Sequence, residues 1–139
     1  MVCYFSEDTS FSFNRRRVTS SWLREVCLRE GKILKDVNII FCSDTYLLDI
    51  NRKFLNHNYF TDIITFDYCV GSHISGDLFI SVDSVRDNSI YYNTLFDNEL
   101  NRVIVHGILH LVGFDDHTEE EVTVMRGKED CYLSLLSEF

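Results

Sequence analysis

The chain has no proline at all among its 139 residues. It has no internal repeat, no low-complexity tract and no run with the composition of a linker, so nothing in it marks a domain boundary, and residues 1–139 are expected to form a single domain. At this length a chain buries roughly two thirds of its unfolded surface, enough for one core. Long hydrophobic runs are also missing. None approaches the ~18 residues a membrane span needs, which excludes a transmembrane reading. The start, "MVCYFSEDTS", lacks the basic region and apolar stretch of a secretory signal. Five cysteines (3, 27, 42, 69 and 131) make an odd set with no CxxC spacing. They fit neither a disulfide framework nor a thiolate zinc site and read as small hydrophobes of a reducing compartment, so the expected location is cytoplasmic. Positive charge is scarce: 13 Lys and Arg stand against 22 Asp and Glu, a net charge of −9. That excludes a general nucleic-acid coat protein but not a nuclease that docks its substrate on a local patch. "NRRRV", Asn14 to Val18, is one such patch, although a short charge run is more often a solvated loop.

What is present is a regular alternation of elements. "VCYFS" is a short strand. "TSSWLREVCLREG" predicts a helix with Ser20 or Ser21 as its cap, with Trp22, Leu23, Val26 and Cys27 on one face and Gly31 at its stop. "DVNIIFC" is short and β-branched, as buried strands are. "SDTYLLDINRKFL" predicts a helix capped by Ser43 or Asp44. "TDIITFDY" and "GDLFISV" predict an antiparallel pair, followed by a helix over about Ser84 to Tyr92. Two helices close the chain. The first is predicted from an Asp97 cap to about Leu111, ending at Gly113. The second carries the capping box "TEEE", in which Thr118 and Glu121 satisfy each other's orphan amides, and three glutamates suit the positive end of its dipole. The pattern gives an α+β fold, a small mixed four-stranded sheet covered by helices.

The chemistry lies in "VIVHGILHLVGFDDH", residues 103–117. His106 and His110 are four apart and share one face of a helix that is otherwise apolar on nearly every side. A buried imidazole is costly unless it is hydrogen-bonded or bound to a metal. Asp116 and His117 follow on the next turn. Two ligands from the helix and one from the turn make a three-donor zinc site with a fourth position open, the form catalytic zinc takes, where bound water has its pKa lowered toward ~7. A lone histidine on an apolar face is more often a satisfied core residue, but two at this spacing with a third donor within seven residues favour metal. The residue after His106 is Gly107, so the glutamate of the HExxH proteases is absent and a peptidase reading loses its main support. Gly107 instead suits close approach of a strand or a substrate backbone.

"HGILHLVGFDDH" with the downstream "MRGKED", together with "INRKFL", "TDIITF" and "GDLFIS", resembles the YbeY endoribonucleases, rRNA maturation factors of bacteria, over about residues 44–131. The resemblance implies an α+β fold with a central metal-bearing helix, one zinc per chain held by three residues, and cleavage of single-stranded RNA. It also implies work in 16S rRNA 3′-end maturation and ribosome quality control, with the 16S rRNA precursor and the ribosome or small-subunit proteins as partners. Two departures stand out. The family's usual GYDH ending is "GFDDH" here, which puts Asp116 at the third ligand's spacing and His117 one later. The ungapped spacing favours Asp116; an all-histidine set favours His117, toward which the reading leans. Leu55 stands where many members carry an arginine, leaving Arg52, Lys53 or His57 as candidates to dock RNA phosphate. Asp62 and Asp77 are candidates for a general base or for support of a ligand histidine, against the plainer role of capping turns and strand ends. Tyr59, Phe60 and Tyr68 are candidates for stacking on RNA bases. Three classes follow: a metal-dependent endoribonuclease, in which the zinc polarises a phosphodiester oxygen or supplies hydroxide; another zinc hydrolase, of peptides or esters; and a non-catalytic zinc module that binds the ribosome. The open fourth position disfavours the last, because structural zinc usually has four protein ligands.

Overall fold

The computed structural model describes residues 1–139. Its elements run β1 (Val2–Glu7), α1 (Arg16–Arg29), β2 (Ile33–Cys42), α2 (Asp44–Leu55), β3 (Ile63–Asp67), β4 (His73–Ser81), α3 (Val82–Tyr91), α4 (Phe96–Val112) and α5 (Glu119–Leu136). The four strands form one sheet in the order β1-β2-β4-β3. β1 and β4 both lie parallel to β2, and β3 closes the edge antiparallel to β4, with Ile64 opposite Phe79 and Phe66 opposite Asp77. This is the mixed four-stranded α+β sheet expected from the sequence.

Strand alternation sorts the side chains onto two faces. Ile74, Leu78 and Ile80 of β4 and Val37, Ile39 and Phe41 of β2 point to the main core, which α1, α4 and α5 complete with Trp22, Leu23, Val26, Ile104, Ile108, Leu109, Met125 and Tyr132. The opposite face is covered only by α2, through a smaller cluster of Cys42, Leu47, Ile50 and Ile64 with Phe66 and Phe79 against it. Helix α4 is central: Val103, Ile104, Val105, Gly107, Ile108, Leu109 and Leu111 are all buried. Gly107 is what lets it sit there. A Cβ at that position would come within 2.7 Å of Ile63 Cδ1 and 3.0 Å of Leu78 Cδ1, so the helix backbone rests on the side-chain ends of β3 and β4. No helix is long and apolar enough to cross a membrane.

Three helix starts differ from expectation. α1 begins at Arg16, with Arg15 at its cap position and no side-chain cap bond. The hydroxyl of Ser20 pairs with that of Tyr4 at 2.9 Å instead of capping, and the buried face begins at Thr19. Arg16 and Arg17 therefore belong to the helix's first turn, not to a loop. α4 begins at Phe96, behind Leu95 and without a side-chain cap. Packing fixes that start: the Phe96 ring meets Phe11 edge-on at 5.7 Å and carries the Arg86 guanidinium at 5.3 Å. Asp97 is left in the first turn, where its charge still suits the dipole. α3 begins at Val82, ahead of the expected Ser84, behind a Ser81 cap, and the remaining caps match the sequence. Ser43 caps α2, Gly113 ends α4 at φ 123°, and the Thr118–Glu121 box opens α5 with both of its bonds made.

Candidate metal centre

The two histidines of α4 occupy the one stripe of the helix that is only half-buried, and both rings turn toward the loop that joins α4 to α5. His106 Nε2 and His110 Nε2 lie 3.0 Å apart, and Asp116 Oδ2 lies 3.4 Å from the first and 3.5 Å from the second. Three donor atoms thus converge with no side chain between them, and the group could hold a metal ion. Tetrahedral zinc with bonds of about 2.0–2.1 Å has donor–donor edges of roughly 3.3–3.4 Å. The observed triangle is close to one face of such a tetrahedron, so the donor set fits the ion in size as well as in chemistry.

The rest of His106 supports this. Its Nδ1 lies 2.7 Å from Glu129 Oε2, so Nδ1 carries the donated proton and Nε2 is left facing Asp116. A carboxylate behind a histidine is the arrangement that orients metal-ligating imidazoles and makes them more basic. Glu129 is itself held. Arg102 Nη1 donates to its Oε1 at 2.8 Å, and Arg126 Nη1 approaches the same oxygen at 3.4 Å. Burial alone would raise the Glu129 pKa, but the bonds from His106 and Arg102 outweigh it and hold the carboxyl below its usual range. The same contact works in reverse on His106. Burial disfavours the imidazolium, yet the Glu129 hydrogen bond and the nearby Asp116 and Asp62 carboxylates raise its pKa.

Glu129 is a residue of the site that the sequence motifs do not single out. Its signal was there, in Met125, Glu129 and Tyr132, which are spaced four and three apart and are all buried. A carboxylate in the buried stripe of a helix requires a partner.

Of the two residues proposed as third donor, the structure brings Asp116 to the histidines and leaves His117 exposed. The His117 backbone amide bonds Glu121 Oε1 at 3.2 Å, which ties this residue into the start of α5. Its side chain lines the cleft beside the site without joining the donor group. The lean toward an all-histidine set is therefore not the geometry found. One turn of loop, pinned by the capping box, puts Asp116 inward and its neighbour outward.

Asp62 precedes β3 and lines the cleft with His106 and Asp116. Asn88 Nδ2 donates to its carboxylate at 3.3 Å, and burial, the largest influence, pushes its pKa up. Asp77 is elsewhere. It lies on the α2 face of the sheet, accepting from Asn38 Nδ2 at 3.0 Å in a hollow lined by Phe5, Ile40, Tyr46 and Phe79. Its neighbour Leu78 faces α4, so strand parity carries Asp77 away from the metal centre.

The proposed phosphate-docking residues also separate. Lys53 pairs with Asp49 at 3.0 Å on the surface of α2, and Arg52 Nε donates to Asn58 Oδ1 at 2.6 Å, bracing the loop after α2. Neither lines the cleft. His57 does, stacked on Tyr59 with ring centroids 5.1 Å apart, and Leu55 lies beside them. This loop is held by the buried Asn51. Its carbonyl accepts from the His57 amide at 3.1 Å and its Nδ2 donates to the Tyr59 carbonyl at 2.9 Å. Phe60 and Tyr68 are exposed but do not line the cleft.

The donor triangle sits at the middle of one open cleft. One arm runs between α3 and α5, past Asn88, Tyr92, Arg102 and Arg126; the other runs toward the end of α2, past Leu55, His57, Tyr59 and Thr61. His106, Asp116, Asp62 and Ile63 line both.

Comparison with known proteins agrees with this architecture. The family model of endoribonuclease YbeY matches residues 4–137. The chain is 45% identical over 137 residues to the endoribonuclease YbeY of Phocaeicola vulgatus, covering 99% of each chain. It is 46% identical over 135 residues to that of Cytophaga hutchinsonii, covering 96% of this chain and 94% of the relative. The solution structure of TM1509 from Thermotoga maritima superposes with a TM-score of 0.70 at 24% identity, covering 98% of this chain and 89% of the other, a likeness of fold.

Proposed function

This chain belongs to the endoribonuclease YbeY family, and from that premise we propose that it is a zinc-dependent endoribonuclease specific for single strands, acting in the cytoplasm on the 16S rRNA precursor during 3′-end maturation and in ribosome quality control. The observation that carries the proposal is the donor triangle of His106, His110 and Asp116, with edges of 3.0, 3.4 and 3.5 Å, open to a cleft that has two arms. A closed four-ligand site would support a structural module; three donors at the floor of a cleft support catalysis.

His106, His110 and Asp116 would hold one zinc per chain, which supplies a Lewis acid for a phosphodiester oxygen. Glu129 keeps the Nδ1 proton on His106 and so leaves Nε2 free as a donor. Asp62, beside the triangle and held toward its neutral form by burial, is placed to exchange a proton with the attacking or leaving oxygen. His57 and Tyr59 offer an imidazole and a ring face along the α2 arm. An RNA strand must lie unpaired to reach the floor, because a duplex keeps its bases stacked inside and its backbone rigid. No glutamate follows His106, so the base that zinc peptidases use is missing.

The test is a gel assay on labelled single-stranded and duplex RNA with zinc-loaded wild type and His110→Ala. Wild type should cut the single strand, leave the duplex largely intact and lose activity on chelation, and His110→Ala should be inactive. Equal cleavage by the two proteins, or none by fully loaded wild type, would overturn the proposal.

A further inference from the structure

The two arms of the cleft differ in what they can hold. The α2 arm has no lysine or arginine in its lining, whereas the α3–α5 arm has Arg102 and Arg126. These two arginines are not equivalent. Arg102 is committed, with 2.8 Å to Glu129 and 2.6 Å to Asp130, and its side chain is only 24% exposed. Arg126 reaches only Glu129, at 3.4 Å, through a side chain 56% exposed. A guanidinium with one long contact, on a side chain more than half exposed, is free to bind a second anion.

Across the arm stands Tyr92. It ends α3, with its amide donating to the Asn88 carbonyl at 2.9 Å. Asn93 then takes a left-handed φ of 55°, and the Thr94 amide donates back to Ser89 at 2.8 Å. The turn is therefore locked, and Tyr91 meets the Tyr92 ring edge-on at 4.9 Å. An edge contact fixes a ring while leaving its faces uncovered by that neighbour.

We infer that Arg126 and Tyr92 form a subsite for one nucleotide of single-stranded RNA, Arg126 taking the phosphate next to the one lying on the metal ligands and Tyr92 stacking on a base. The inference rests on the endoribonuclease reading above. The charge of the cleft favours it. A chain of net charge −9, with Asp62, Glu99, Asp116 and Glu129 lining the same arm, repels a polyanion unless a cation meets it locally. Arg102 is already spent on Glu129 and Asp130, which leaves Arg126. A phosphate contact and a sequence-tolerant stack are the two elements by which proteins hold unpaired strands.

The experiment measures KM, kcat and the salt dependence of cleavage of a labelled single-stranded oligoribonucleotide by the zinc-loaded full chain. The variants are Arg126→Ala, Arg126→Lys, Tyr92→Ala and Tyr92→Phe, with the exposed Arg24→Ala of α1 as control. Arg126→Ala is expected to raise KM about five- to tenfold, with kcat within about twofold and zinc content unchanged, and to flatten the slope of log affinity on log salt by about 0.7, the value of one phosphate contact on a single strand. Arg126→Lys should restore most of that slope. Tyr92→Ala should raise KM about tenfold with no change in slope, and Tyr92→Phe should match wild type. The subsite is overturned if Arg126→Ala and Tyr92→Ala keep wild-type KM and slope, or if Arg24→Ala produces the same losses. It is overturned equally if Arg126→Ala loses zinc, since Arg126 would then act by bracing Glu129. Failure of zinc-loaded wild type to cut any RNA would bring down the endoribonuclease reading and the subsite together, a result distinct from active wild type with an indifferent Arg126→Ala.

Discussion

Glu129 fixes the Nδ1 proton of His106 in the candidate metal site, and its effect can be read as a function of pH. Its folded pKa lies below the ordinary value near 4.5, so its contribution to stability is fully present above about pH 4.5 and is lost as pH falls through the depressed value. His106 has the opposite shift, above the ordinary 6.5, so its share is fully present below about pH 6.5 and is lost as pH rises through the raised value. The metal-free chain should therefore gain most from the pair between about pH 4.5 and 6.5, with Arg102 preserving part of the gain above that window. Urea unfolding of metal-free Glu129→Gln against wild type should show the largest deficit there and a shrinking one as pH falls through the depressed Glu129 pKa; a deficit that grew toward acid would refute the pairing. Zinc affinity of Glu129→Gln at neutral pH should fall about 10- to 100-fold, the usual cost of removing the carboxylate behind a metal-bound histidine. The sequence exposed His106 and His110 through their spacing alone. It hid Glu129, whose partner is 23 residues away, and it left Asp116 and His117 undecided, because which of two adjacent loop side chains turns inward depends on the closure of the turn and not on composition.

The closure of that turn belongs to α5, and the reach of the histidines to α4. Thr118→Ala should cost about 1 kcal/mol by removing one half of the capping box, and should also weaken zinc binding, because the box anchors the loop that carries Asp116. Denaturation and metal titration of the same preparation would separate the two effects, and a stability loss with unchanged affinity would detach the cap from the site. Gly107→Ala is expected to cost about 1–3 kcal/mol by pushing α4 off Ile63 and Leu78. A melting temperature equal to that of wild type would show that the helix has slack there. The strongly periodic elements were legible: α2 with its Ser43 cap, the antiparallel pair of β3 and β4, and α5 with its box. The starts of α1 and α4 were not, since neither has a side-chain cap to announce it, and aromatic packing around Phe96 and the Tyr4–Ser20 contact set the boundaries instead.

Sheet order decides which candidates can act together. With β4 beside β3 and α4 laid across both, the end of the α2 loop, Asp62 and the α4–α5 loop all open onto one cleft. The same order sends Asp77 to the far face and leaves Arg52 and Lys53 on the outer surface of α2. The α+β class could be read from the succession of strands and helices, but face assignment needed the register of β4 against α4, which no local pattern specifies. The central claim is that His106, His110 and Asp116 together hold one zinc at the floor of this cleft. Calorimetric titration of zinc into metal-free wild type, His106→Ala, His110→Ala, Asp116→Ala and His117→Ala tests it most directly. Wild type and His117→Ala should each bind about one zinc per chain with similar affinity, and the other three should lose most of that affinity. Full binding by Asp116→Ala with loss in His117→Ala would contradict the ligand set, and full binding by all four variants would contradict the metal centre itself.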